Sequence, residues 1–139
     1  MAPVAIAIAI TVAVLLILLA GTALAERPRF QVAVVTDTRE SMDDKQVFPP
    51  DVAKVYIVYM LSDAPKGTRL KAVWYADHVE GMADNSKFNQ VEATAAGGSY
   101  IGAFSYTKPT KGWPTGDYRV ELYIEDRLEK TLKFKVVKR

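Results

Sequence analysis

The segment GWPTGDYRVELYI, residues 112–124, gives the clearest indication of the fold because it joins a loop to the most regular strand pattern of the chain. Glycine and proline dominate its first half, and alternation begins at Tyr118. Tyr118 and Val120 share one side of the segment with Leu122, whereas Arg119 and Glu121 share the other. Alternation with a period of two is typical of a β-strand with one buried face. We therefore predict a strand over residues 118–124.

Six further segments show strand patterns, separated by clusters of Gly, Pro, Asp and Asn. Residues 128–137 follow the first strand after Glu125-Asp126-Arg127, and we expect the two to form an antiparallel hairpin. The remaining five are residues 30–36, 54–61, 69–76, 88–95 and 100–107. Gly97-Gly98 predicts a tight hairpin between the last two of these, and residues 38–51 are expected to form a polar loop. Seven short strands without a helical period predict a β-sandwich.

Four residues, Gly116, Tyr118, Val120 and Trp74, resemble positions of immunoglobulin-like and fibronectin type III sandwiches. Gly116-x-Tyr118-x-Val120 is similar to their tyrosine corner, in which a Tyr near the start of the sixth strand bonds to nearby backbone. Trp74 lies on the third predicted strand, where immunoglobulin domains place a buried tryptophan. Val120 stands where the second cysteine of their disulfide would be.

More narrowly, the order of segments over residues 30–137 resembles small bacterial exported immunoglobulin-like modules without an assigned activity. The segments are FPPD, KVYIVYML, GTRLKAVWYAD, KP-x-x-GWP-x-GDYRVELYI and a closing FKV. This resemblance implies a seven-stranded, antiparallel immunoglobulin-like β-sandwich and export, and it supplies no catalytic residue. Such modules often close the last hairpin with Asp-Gly; Glu125-Asp126 stands here instead, and we expect a less stable turn.

The first 25 residues contain no charged side chain, and the apolar run covers residues 4–20. Ala23-Leu24-Ala25 fits the small-x-small pattern that precedes signal-peptide cleavage. We therefore predict that residues 1–25 form an apolar helix that acts as a signal peptide, followed by one domain over residues 26–139. Because the run approaches the length of a membrane span and no Lys or Arg precedes it, an uncleaved membrane anchor is the alternative. Both interpretations place the domain outside the cytoplasm, in the periplasm or at the cell surface.

Composition limits the chemistry that the domain can perform. The chain has no cysteine and one histidine, which excludes thiol catalysis and thiolate metal sites. Its 18 basic and 16 acidic residues give a net charge of +2, whereas a dedicated nucleic-acid binder usually has a clear basic excess. No Gly-x-Ser-x-Gly motif is present. We therefore expect a protein that is not an enzyme, binds no cofactor and does not bind nucleic acid.

The single histidine carries the alternative function. His78 and Met82 lie in the sequence DHVEGM, and a His–Met pair suits copper. A metal site normally needs three or four converging groups, and we expect this segment to be a solvent-exposed loop. A periplasmic carrier of a ligand or metal, built on His78 and Met82, remains the alternative hypothesis.

Aromatic residues on the side of the strands opposite the predicted core suggest a surface that binds a partner protein. Tyr75 and Tyr123 are expected to point outward, and Tyr is favoured at protein interfaces. Trp113, between Gly112 and Pro114, is expected to close one end of the sandwich. Lys133 and Lys135 are expected to protect an edge strand from aggregation. The main hypothesis is therefore a non-catalytic accessory module that binds another extracytoplasmic or membrane protein, either as a free module or as a membrane-tethered subunit of a larger complex.

Overall fold

The computed structural model describes residues 27–139, and all regular elements in that range are strands. They are β1 (Arg29–Thr36), β2 (Val47–Phe48), β3 (Lys54–Ala64), β4 (Arg69–Val79), β5 (Ser86–Thr94), β6 (Gly98–Thr107), β7 (Gly116–Ile124) and β8 (Arg127–Val136). None of the described residues forms a helix of the length and apolarity that crossing a membrane requires. The predicted signal peptide or anchor lies outside the described residues.

The strands form two sheets. One has the order β1-β3-β6, and the other has the order β2-β8-β7-β4-β5. Each of the seven segments predicted from alternation forms a strand, and β7 and β8 form the predicted antiparallel hairpin. The all-β fold with two sheets is therefore confirmed.

One strand was not predicted. Val47–Phe48 lies in the segment expected to be a polar loop and pairs in parallel with β8, so the sandwich has eight strands in the described range and is not purely antiparallel. The Lys135 N–H donates to the Gln46 carbonyl at 2.7 Å, and the Phe48 ring lies 5.9 Å from that of Phe134. Phe48 is 2% exposed, and its burial holds this short segment against β8.

The hairpin predicted at Gly97-Gly98 is wrong. Both glycines have positive φ, as a tight turn requires, but they join β5 of one sheet to β6 of the other. β5 pairs with β4, and β6 pairs with β3. The connection therefore crosses between the layers.

The core lies between the two sheets and is centred on Trp74. This side chain is completely buried, and its ring lies 6.2 Å from Phe134 and 5.7 Å from Tyr106. Trp74 pairs in register with Val120, which is also fully buried. The position that a disulfide would occupy on β7 is thus filled by an aliphatic side chain packed in the apolar core, where interiors are close-packed.

The end of the sandwich near β7 is closed by Tyr118 and Trp113. The Tyr118 hydroxyl donates to the Pro114 carbonyl at 2.6 Å, which is the geometry of a tyrosine corner. Its ring stacks on Phe134 with centroids 5.0 Å apart. The Trp113 indole N–H donates to the Val52 carbonyl at 3.1 Å, and Trp113 is 3% exposed. Burial raises the pKa of Tyr118 to about 12, and neighbouring Tyr106 adds to the shift, so the hydroxyl remains a donor at ordinary pH.

The β7–β8 turn is strained and is held by β4. Glu125 and Asp126 both have a positive φ, of 49 and 65 degrees. This left-handed region costs a non-glycine residue roughly 1–2 kcal/mol. The Glu125 carboxylate accepts hydrogen bonds from the Arg69 backbone N–H at 2.8 Å and from Arg69 Nε at 3.0 Å, and these bonds lower the pKa of Glu125. The absence of glycine from this turn is therefore offset by contacts to a neighbouring strand.

We expect Tyr118→Phe to lower the free energy of unfolding by about 1–2 kcal/mol, because the Pro114 carbonyl loses its buried donor. Chemical denaturation of the purified protein measures the change. Tyr75→Phe is the matched control, since Tyr75 is also half-buried but its hydroxyl makes no hydrogen bond within residues 27–139, and it should cost less. Equal losses in the two variants would contradict a special role for the corner.

We expect Asp126→Gly to raise the free energy of unfolding by about 1 kcal/mol, because glycine adopts positive φ without a Cβ penalty. The lost ion pairs with Arg69 and Lys71 involve an exposed carboxylate, and such pairs contribute little. Asp84→Gly is the control, since Asp84 is also exposed but its φ is not positive. A gain at Asp84 equal to that at Asp126 would show that turn strain is not the cause.

Candidate functional site

Tyr75 and Tyr123 lie on the outer side of the five-stranded sheet, on the adjacent strands β4 and β7. Trp74 points into the core, so Tyr75, the next residue along β4, points away from it. Pairing of the two strands places Tyr75 opposite Arg119 and Tyr123 opposite Lys71. The surface built here, which we name the β4–β7 outer face, consists of Lys71, Tyr75, Asp77, Arg119, Glu121 and Tyr123.

Arg119 is the centre of this face. Its guanidinium lies 3.9 Å from the centroid of the Tyr75 ring, a cation–π distance. It also forms ion pairs with Asp77, across the strand pair, and with Glu121 on its own strand at 3.3 Å. The side chains of Arg119, Asp77 and Glu121 are 17%, 22% and 16% exposed, so the three charges are largely withdrawn from water. Partly desolvated charges are tolerated when each is paired with a charge of opposite sign, as these three are.

Tyr123 belongs to the same network through Glu121. The Tyr123 hydroxyl donates to Glu121 Oε1 at 2.7 Å, and Lys71 Nζ lies 4.6 Å from the Tyr123 ring centroid. The hydrogen bond to Glu121, together with partial burial, raises the pKa of Tyr123 to about 12. Tyr123 is therefore a neutral donor fixed in one orientation at ordinary pH.

Asp77 and Glu121 keep the Arg119 guanidinium protonated. Partial desolvation lowers the pKa of the guanidinium, but the hydrogen bonds and charges of Asp77 and Glu121 outweigh it, and the pKa lies above its ordinary value. The face therefore presents fixed alternating charges with two tyrosine rings held among them.

The two tyrosines are less accessible than expected. Both are half-buried by their charged neighbours and do not stand free in an exposed patch. Asp77, Arg119 and Glu121 were not among the predicted site residues. Alternation did assign Arg119 and Glu121 to the outer side of β7, but the contact with Tyr75 depends on the pairing of β4 with β7, which no local pattern specifies.

His78 and Met82 do not lie in one depression. His78 is 72% exposed with Nδ1 3.2 Å from Asp84 Oδ1, and it borders an open depression of about 560 Å³ together with Asp117 and Lys135. Met82 packs against the core and lines a different cleft. Among residues 27–139, no three His, Asp or Glu side chains are grouped closely enough to hold a metal ion.

The cleft at Met82 is an apolar feature that the sequence analysis missed. It has a volume of about 460 Å³ and lies at the end of the sandwich that Trp113 closes. Its walls include Phe88, Tyr106 and Pro109. The Pro-rich loop at residues 109–114 indicated that this end of the sandwich is covered. The loop sequence could not show that Phe88 and Met82, from the β4–β5 side, also line the cleft.

Comparisons with known proteins concern the fold. No protein-family model and no curated protein matches the chain. An immunoglobulin-like protein from Pseudomonas aeruginosa superposes with a TM-score of 0.53 at 18% sequence identity, over 82% of this chain and 99% of that protein.

Parts of two larger enzymes also superpose. An alkylpurine DNA glycosylase from Pseudomonas fluorescens, bound to DNA containing an abasic site analog, gives a TM-score of 0.52 at 12% identity. A β-glucosidase from Erythrobacter marinus gives a TM-score of 0.50 at 7% identity. The similarity covers 83% and 80% of this chain but only 32% and 15% of the two enzymes. At these identities the comparisons show the fold alone: residues 27–139 form an immunoglobulin-like β-sandwich.

Proposed function

We propose that the chain is a non-catalytic accessory module outside the cytoplasm that binds another protein through the β4–β7 outer face. The observation that carries the proposal is the arrangement around Arg119, which holds two tyrosines and four charged side chains in fixed positions on an outward sheet surface. The partner is an extracytoplasmic or membrane protein. The immunoglobulin-like fold is compatible with such a role, although function rests on the site and not on the fold.

The chemistry of the face suits protein recognition. Tyr and Arg are the residue types that most often supply binding energy at protein interfaces. Side chains that are already fixed lose little conformational entropy on binding, which favours affinity. The alternating charges of Lys71, Asp77, Arg119 and Glu121 would select a partner with the complementary pattern, and such patterns contribute mainly to specificity.

Export is the second part of the proposal. It rests on the uncharged, apolar residues 1–25 and on the small-x-small pattern at Ala23-Leu24-Ala25, which is typical of a cleavage site. A cleaved leader would release the sandwich as a soluble module, whereas a retained one would tether it to the membrane beside its partner. No observation favours the alternative of a metal carrier over this function.

Site-specific photocrosslinking tests the binding face. We expect p-benzoylphenylalanine in place of Tyr75 or Tyr123, in living cells, to give a crosslinked product with one defined second protein, because these rings lie at the centre of the proposed contact. The same residue in place of Tyr56 is the matched control: Tyr56 is also half-buried but lies on β3 of the other sheet.

The comparison between positions 75, 123 and 56 uses only crosslinked products that contain a protein other than this chain. The same product from position 56 in equal yield would contradict a contact specific to the β4–β7 outer face, and so would the lack of any product from positions 75 and 123. Thermal unfolding of each variant shows whether the fold is intact.

The intact mass of the protein in each cell fraction tests export. We expect either a chain beginning at Glu26 in the soluble extracytoplasmic fraction or the full chain in the membrane fraction, because the apolar leader directs both outcomes. A full-length chain recovered from the soluble cytoplasmic fraction would contradict the proposed location.

A further inference from the structure

Strands at the ends of a sheet present unpaired backbone N–H and C=O groups to which another strand can add, and proteins usually protect them. In this sandwich β1 and β6 end the three-stranded sheet, and β2 and β5 end the five-stranded sheet. The four edge strands differ in how they are protected against the addition of another strand.

Protection is visible at three of the ends. β1 contains a bulge between Phe30 and Val32, and its Val35 is covered by the following loop, with the Val35 N–H donating to Asp44 and the Lys45 N–H donating to the Val35 carbonyl. β5 carries the exposed charges Lys87 and Glu92 and has an irregular register with β4.

At the third end, β2 has only two residues and covers one end of β8. The rest of the free side of β8 carries charged residues: Arg127, Glu129, Lys130 and Lys133. Short edge strands and lysines are both recognised devices against strand addition.

β6 differs from the other three edge strands. Its sequence GSYIGAFSYT contains no charged residue and no proline. It pairs with β3 in one register from Tyr100 to Thr107, and the one shift in this pairing lies at the first residues of β6, opposite the stretch from Leu61 to Ala64 of β3. Within the part of the chain that the structure describes, no strand lies on its other side. β6 is therefore a long, regular and uncharged edge.

The outer side of the sheet beside this edge is apolar. Ile101 is 60% exposed, and it pairs with Met60 and then, across β3, with Val32, which is 41% exposed. The next row, Ala103 and Val58 with Val34, is also apolar, but Val58 and Val34 are already buried, at 1% and 7% exposed. An apolar strip thus runs up to the unprotected edge.

We propose that β6 pairs with β6 of a second copy of this chain, antiparallel and about a two-fold axis, to form one continuous six-stranded sheet. Twofold self-pairing is the commonest symmetry of protein assemblies. Like charges directly opposite each other destabilise a strand pair. Among the long edge strands of residues 27–139, β6 alone has no charge to repel its own copy.

The lack of charge on β6 also favours a second copy of this chain as the partner strand. A charged partner strand would find no complementary charge on β6, whereas a second β6 is neutral and as apolar as the first. Pairing would place the two apolar strips side by side and cover Ile101 of each copy. This contact is separate from the β4–β7 outer face, which lies on the other sheet.

Cysteine crosslinking of the full chain tests the proposal, because the natural sequence has no cysteine to interfere. Single variants Ile101→Cys and Ala103→Cys are treated in cells with a short bismaleimide, which reaches both directly opposite and diagonal neighbours across a strand pair. We expect a crosslinked product of twice the mass of the chain. Gln90→Cys, exposed on the β5 edge, is the control and should give little product.

A second substitution tests whether the two copies contact each other through the β6 edge. In the Ala103→Cys background, Ile101→Lys should remove most of the dimer, because it places like charges close together at the paired edge. Val47→Lys is the matched control, since Val47 is 61% exposed and lies on β2 of the other sheet. It should leave the yield unchanged.

Four outcomes would overturn the proposal. They are the lack of a dimer from both β6 positions, an equal yield from Gln90→Cys, a yield that Ile101→Lys does not lower, and a product in which β6 is linked to a different protein. The last outcome would assign the edge to a strand from another partner.

Discussion

Burial of Trp74 between the two sheets organises the packing of the whole sandwich. Tryptophan is among the side chains that remove the most apolar surface from water on folding. This one is completely enclosed, so the layers must close around it from both sides. Phe134 and Tyr106 supply that enclosure from β8 and β6, and Tyr118 stacks on Phe134 to extend the cluster to the end of the sandwich. Without a disulfide, this aromatic packing joins the two layers.

Once the inner faces are fixed, the outer faces follow from the pleat of each strand. Tyr75 must point outward because Trp74 points inward, and pairing with β7 then brings Arg119 over its ring. Half-buried charges are stable only when they are paired, and Asp77 and Glu121 meet this condition for Arg119. The polar network on the surface is thus a consequence of the apolar core beneath it. The same alternation places Ile101 and Ala103 on the outer side of β6, a strand that contains no charged residue.

Much of the fold was predictable because alternation is a local property. Tyr118, Val120 and Leu122 could be assigned to the buried side of β7 from their spacing alone, and the resemblance to immunoglobulin-like sandwiches implied the corner at Tyr118. The candidate site was only half predictable. Tyr75 and Tyr123 could be placed on the outward side, but Asp77, Arg119 and Glu121 could not be joined to them, since the contact spans 42 residues between Asp77 and Arg119.

Local alternation located seven of the eight strands in residues 27–139 and the buried side of the clearest of them, because a period of two reports burial within a single segment. The corner tyrosine was located by the resemblance to immunoglobulin-like sandwiches. Which strands are neighbours, in contrast, follows only from the folded chain. The two glycines at residues 97–98 have the positive φ of a turn and yet connect different sheets, and Phe48 draws its two-residue strand to β8. Neighbour choice depends on how distant segments pack and on how loops close, and that competition involves the whole chain at once.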